Sequence, residues 1–357
     1  MSHSRLLLLL TAGAVIWPAG APAATKVVDA GVPLASHRAF WTLGSDANAF
    51  FPSRVTIRVG DTVRFRPSGF HTVHLRGRRG RTTVRSLIPS AARVAGAVDA
   101  AGQPFWFNGQ VHFDNAPALL KTNFGKRFTF TGAKELTSGF HTKGRAKPMS
   151  VRFTRPGTFR FICDYHPGMQ GSVKVVPRSS RSVPSARRDA AGVRQTLGTL
   201  LKAAATLKQA RPPAGVINVG NAGPGGLEFY DFVPKVVQVP AGSTVRFQIS
   251  PGSLETHTVA AGPGLPDTQR ASYLGLIAHT FEERRADPRA VYPSDPPGTP
   301  PVLTPTTHGN GFWSSGVLDR SPATPFPEAR DLTFPVAGTY LFSCLIHKYM
   351  HTQVQVT

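Results

Sequence analysis

Acidic residues, cysteines and long apolar runs are all scarce in this chain. Its 357 residues include 19 Asp and Glu against 41 Lys and Arg, a formal charge of +22. A surface of that sign attracts acidic partners, whether anionic lipid headgroups, cell-wall polymers, nucleic acid or an acidic redox protein. The basic residues are scattered, as in Arg76-Gly77-Arg78-Arg79-Gly80-Arg81, and form no nucleic-acid-binding motif, so specific nucleic-acid binding is not expected. Beyond the N-terminus no stretch approaches the roughly 20 apolar residues that a membrane span needs. There are only two cysteines, Cys163 and Cys344, which excludes a disulfide framework and permits at most one bond between them. The dipeptide-spaced pair His-x-His occurs nowhere, and His71-Thr72-Val73-His74 has a different spacing.

What is present starts with an N-terminal segment, Met1 to about Ala24. It combines Arg5, an apolar run from Leu6 to Leu10 continuing to Trp17, and the small-residue end Ala21-Pro22-Ala23-Ala24. That pattern predicts a secretory signal peptide and an extracytoplasmic mature protein. The remainder, with 41% hydrophobic residues overall, is long enough for two buried cores.

Three landmarks recur in the same order in both halves, which makes the chain a tandem repeat. Val55-Thr56-Ile57-Arg58-Val59-Gly60-Asp61-Thr62-Val63-Arg64-Phe65 alternates apolar and polar residues across a turn, and Val237-Gln238-Val239-Pro240-Ala241-Gly242-Ser243-Thr244-Val245-Arg246-Phe247 does the same. A histidine follows in each half, in Phe70-His71-Thr72-Val73 and in Thr256-His257-Thr258-Val259. A second alternating pair, Val151 to Phe161 and Leu332 to Phe342, leads into each cysteine. The alternation and the Gly turns predict hairpins with one buried face, and hence an all-β chain with one sandwich per half. The expected boundaries are 25–178 for the first domain, 179–213 for a linker and 214–357 for the second. Within the linker Val193, Leu197, Leu200, Leu201, Ala204 and Leu207 fall at helical spacing before Pro212-Pro213, which predicts an amphipathic helix packed on a domain face. Each half carries a long insertion between its histidine and its cysteine. The first includes Phe105-Trp106-Phe107 and is suited to covering a site or a partner surface.

Cys-x2-His-x2-Met occurs twice, as Cys163, His166, Met169 and as Cys344, His347, Met350, each just past an aromatic strand. A strand that ends on Cys, a turn that presents His and a return that brings Met point three side chains at one spot. One further imidazole completes a His2Cys set with a weak thioether, which is the donor set of a blue-copper site. Zinc has little use for thioether. The bland alternatives are a Cys163–Cys344 disulfide, core Cys and Met beside a surface His, and loop roles for His71 and His257. His74, His112, His141, His279 and His308 have no repeated counterpart and read as ordinary residues.

With these motifs both halves resemble the cupredoxin (blue-copper, plastocyanin/azurin-like) family, with ligand-loop spacing most similar to that of amicyanin. The resemblance implies two tandem cupredoxin-like Greek-key sandwiches joined by a helical linker. It implies one type 1 copper per domain, held by His71, Cys163, His166 and Met169 in the first and by His257, Cys344, His347 and Met350 in the second. The implied activity is one-electron transfer with a redox partner, expected here to be acidic. His166 and His347, the ligands on the Cys loops, would be the partly exposed ports. Two departures stand out: Thr72 and Thr258 occupy a position where the family often has Asn tying down the ligand loop, and His351 directly follows Met350 and competes as a ligand. Multicopper oxidases and copper nitrite reductases also use tandem domains of this type. Their second copper sites need His-x-His pairs or a His directly before the Cys, where this chain has Ile162 and Ser343. Copper storage or delivery outside the cytoplasm, without electron traffic, is the remaining alternative.

Overall fold

A computed structural model describes residues 23–77, 87–141, 147–322 and 324–357. The signal-peptide expectation falls outside the described residues except at its last two positions, as does Arg78 to Arg81 of the basic run. The chain adopts the expected class, all-β with two tandem sandwiches joined by a helical linker.

In the first sandwich one sheet has the strand order Phe50–Phe51, Thr25–Ala30, Thr62–Pro67, Met149–Phe153, Arg127–Phe130. The facing sheet runs Leu136–Thr137, His74–Leu75, Gly157–Ile162, Gln170–Val176, Arg54–Arg58. The second sandwich pairs Ser45–Ala47, Leu227–Val233, Val216–Ala222, Ser243–Ile249, Ala329–Phe334 with a sheet ordered Val236–Val239, His351–Val356, Gly338–Ser343, His257–Ala261, Trp313–Leu318. Period-two alternation puts Val63 and Phe65 from one sheet and Val173, Val175 and Phe161 from the other into a common core. Phe161 meets Phe50 and Phe65 edge-on, with ring centroids 4.7 and 5.2 Å apart. Phe342, Phe247 and Trp313 hold the equivalent place in the second core.

The four alternating pairs are strands as expected but not hairpins. Arg54–Arg58 runs parallel to Gln170–Val176 while Thr62–Pro67 runs parallel to Thr25–Ala30 in the opposite sheet, and the other three pairs split between sheets in the same way. Alternation reports which face of a strand is buried and says nothing about its hydrogen-bonding neighbour. A short Gly turn serves equally well as a corner that carries the chain across the core.

The linker helix spans Ala186–Leu207, with the Ser185 hydroxyl capping the Arg188 N–H at 3.2 Å. Leu197, Leu200 and Ala204 pack on Val32, Phe40 and Phe51 of the first half and on Leu227 of the second, so the helix sits at the junction. Its first turn is pinned by the ammonium of Lys26, 2.6 Å from Asp189 and 2.8 Å from the Pro184 carbonyl. Two further exchanges join the halves. Ser45–Ala47, from the first half by sequence, pairs antiparallel with Leu227–Val233. The first insertion lies on the second sandwich, with Val94, Phe105 and Phe107 buried against Leu274, Phe312 and Leu345, and with Trp106 donating to the Pro293 carbonyl at 2.8 Å.

Candidate metal centre

Each sandwich brings the expected residues together at one end of its core. In the first, the imidazole Nδ1 atoms of His71 and His166 lie 3.0 Å apart, and the Cys163 sulfur is 4.0 Å from one and 3.4 Å from the other. In the second, Nδ1 of His257 and of His347 are 3.1 Å apart and the Cys344 sulfur lies 3.8 and 3.9 Å from them. Ligand bonds of about 2.0–2.3 Å to nitrogen and sulfur place donors around a common ion at separations of this size. Among the described residues these are the two groups of three such donors that converge within 4.8 Å. Both cysteines are free and buried, each in its own core, which disposes of the disulfide alternative.

The ligand loops are closed by two backbone bonds apiece. Cys163 N–H donates to Met169 O at 3.0 Å and Met169 N–H to His166 O at 2.9 Å; Cys344, Met350 and His347 repeat this at 3.1 and 2.9 Å. Met169 and Met350 are buried in the same clusters as their cysteines. His351 is turned elsewhere, with Nδ1 2.9 Å from the Ser343 hydroxyl and Nε2 3.2 Å from Asp267. Thr72 and Thr258 each tie the ligand loop of their own domain. Thr72 Oγ1 accepts from Asp164 N–H at 2.8 Å and Thr258 Oγ1 from Leu345 N–H at 2.7 Å, while the Thr72 and Thr258 N–H groups face the two sulfurs at 3.4 and 3.5 Å.

Burial would raise both thiols, but the neighbouring imidazoles prevail. His166 and His71 hold Cys163 well below the usual thiol range, and His257 and His347 do the same for Cys344. The sites are therefore built for thiolate, and a cation held there takes the place of the imidazole protons.

No protein-family model matches this chain, and no curated protein matches it. Among solved structures it is similar to plastocyanin from Dryopteris crassirhizoma, at 16% identity over 40% of this chain and 99% of that one, with a TM-score of 0.21. It is also similar to amicyanin from Paracoccus versutus, at 17% identity over 42% and 85% with a TM-score of 0.22. A third is a purple cupredoxin from Nitrosopumilus maritimus, at 13% identity over 41% and 100% with a TM-score of 0.19. The capacity of each centre to hold a metal ion follows from its own donor set.

A glycine backs the first histidine of each centre. A methyl group on Gly31, whose φ is +99°, would stand 2.0 Å from the Ser68 carbonyl oxygen and 2.6 Å from the His71 ring; on Gly220 it would stand 3.1 Å from His257 Nε2. Gly31→Ala is expected to displace His71 and to lower the metal content of the folded chain, because the first group loses one of its three convergent donors. Unchanged metal content, measured by metal quantitation on the folded variant, would show that metal binding does not depend on this contact.

Both ligand-loop histidines were expected to be partly exposed, and the structure corrects this for His166 alone. The two centres face each other across the junction, His166 is 4% exposed, and His347 is only half-buried. Between them lies Glu255, 7% exposed. Its Oε2 is 3.2 Å from His166 Nε2 and its Oε1 3.5 Å from His347 Nε2, while Tyr230 Oη and Asn48 Nδ2 donate to Oε2 at 2.8 and 3.0 Å. Burial opposes ionisation of Glu255, yet the flanking histidines hold it well below the usual carboxylate range. His74, read as an ordinary residue, is a core histidine. It is buried with Nδ1 2.9 Å from Asp164, the residue after Cys163. The equivalent positions in the second centre, Ala260 and Leu345, are apolar and buried.

Proposed function

We propose that this chain is a secreted copper protein that carries single electrons through two type 1 centres, one in each of the domains 25–178 and 214–357. The supporting observation is the twofold recurrence of a buried thiolate with two convergent imidazole nitrogens, on a loop closed by the same two backbone bonds and with a buried Met at the same offset. His71, Cys163, His166 and Met169 would hold copper in the first domain, and His257, Cys344, His347 and Met350 in the second. Copper there would supply a one-electron couple. The chain's own part is to keep both sulfurs ionised, to hold the imidazoles so that little rearranges, and to exclude water by packing Phe161 and Phe342 below the sites. The proposed port is the edge of His347, beside Tyr349, whose ring centroid is 6.5 Å away and which is 58% exposed. The net positive surface favours an acidic redox partner. We propose a carrier and not an enzyme, because the two centres share one donor set. No helix among the described residues is long and apolar enough to cross a membrane.

One observation favours a second reading, copper storage or delivery: the ligand His166 is sealed inside the junction. Visible absorption with copper quantitation on the full mature chain separates the two. Electron transfer requires two coppers per chain, an intense thiolate-to-copper band that reductant bleaches and oxidant restores, and a rate with an acidic redox protein that falls with ionic strength. Copper bound without that band sinks the electron-transfer reading in favour of storage.

A further inference from the structure

The contacts of Glu255 tie the two centres together. A ligand histidine that offers Nδ1 to a metal carries its remaining proton on Nε2, and the acceptor of that proton fixes the ring's tautomer and orientation. His166 and His347 belong to different domains, yet both direct Nε2 at this one carboxylate. The carboxylate is itself fixed by Tyr230 and by Asn48, which adjoins the strand that the first half lends to the second sandwich. At the aligned position of the first half, two residues before His71, the chain has Gly69, so the repeat supplies one such carboxylate and not two.

We infer that Glu255 is a positioning residue shared by the two metal centres, and that through it each centre lowers the metal affinity of the other. The inference rests on the copper reading of both sites. Its sign follows from two effects that act in the same direction. A cation on His166 makes its Nε2–H a stronger donor and draws Glu255 away from His347. Two bound cations also repel each other across a junction of low dielectric. Coupling is reciprocal, so loading either site first weakens the other equally.

The atom-by-atom pattern sets the test. Glutamine in place of Glu255 keeps one acceptor oxygen, and the Oε2 position, with its three donors, retains it. The new amide N–H group then faces His347, donor against donor. Copper(II) affinity is measured by competition with a chelator on the full chain, with Cys163→Ser or Cys344→Ser isolating each site. Glu255→Ala is expected to weaken both sites by about 10–100-fold, and Glu255→Gln to weaken the second site alone by a similar factor. In the unmodified chain the second copper is expected to bind at least about fivefold more weakly than the same site does when the other is disabled, and Glu255→Ala is expected to shrink that difference. Should Glu255→Ala fail to fold, the isosteric Gln variant still decides. Loss confined to the second site in Glu255→Ala, equal losses at both sites in Glu255→Gln, or independent binding in the unmodified chain would overturn the inference. Two coppers bound without a visible thiolate band defeat electron transfer and leave the coupling standing, whereas a chain that takes up no copper overturns both.

Discussion

Cys163→Ser is expected to remove one of the two proposed coppers and its visible band from the chain, and Cys344→Ser the other. The effect is large because a serine hydroxyl does not ionise near neutrality. The imidazoles that hold each thiol well below its usual range leave a hydroxyl protonated. The core tolerates the change, since oxygen is smaller than sulfur and the Thr72 and Thr258 N–H groups still face an acceptor. The two residual spectra are not expected to coincide. Beside Cys163 the Asp164 carboxylate bonds His74 at 2.9 Å, whereas beside Cys344 stand Leu345 and Ala260. An apolar shell penalises the higher charge of an oxidised centre, so the site left by Cys163→Ser is expected to have the higher reduction potential. Copper content with potentiometric titration of each variant checks both points. A variant that keeps two coppers and its full band would show that the sulfur is not a ligand.

The donors were legible because metal chemistry constrains residue type and spacing together. Cys, His and Met at fixed offsets, found twice on matching strands, leave few other uses for those atoms. Phe161 and Phe342 were legible as core for a similar reason, since alternation fixes the buried face. Which sheet a strand joins was not, because the Gly60 and Gly242 turns are compatible with a hairpin or with a corner, and long-range pairing settles the choice. Glu255 left a weaker signal. It is an apolar-to-acidic break in the repeat, a carboxylate where the first half has Gly69, in a chain with few acidic residues. Its meaning depends on His166, a residue of the other domain, and no local pattern reports an approach across domains. The burial of His166 was hidden in the same way. Seen within one domain it is an edge residue, and only the docking of the second sandwich covers it.

The same junction holds a second carboxylate whose titration is expected to contribute to the pH dependence of stability in the metal-free chain. Glu228 is 1% exposed on strand Leu227–Val233, where it accepts from Leu254 N–H at 2.7 Å and from the Ser253 hydroxyl at 3.1 Å. Burial, with the charge of nearby Glu255 adding to it, pushes its carboxyl from 4.5 up to about 8. Between those values the folded chain binds a proton that the unfolded chain does not, so stability falls as pH rises through this window and is fully retained below it. A shift of this size corresponds to about 3–5 kcal/mol. Glu255 acts in the opposite sense and in a different window. Its carboxyl is lowered, so its contribution is present above the ordinary carboxylate range and is lost on acidification below it. The two effects therefore separate along the pH axis. Glu228→Gln keeps an acceptor for Leu254 and carries no charge, so between pH 5 and pH 8 the urea midpoint of the unmodified chain is expected to lose ground relative to that of the variant, in the window set by the shift of Glu228. Parallel curves for the two proteins would mean that Glu228 is ionised when folded, with its charge compensated across the junction by the histidines that Glu255 holds.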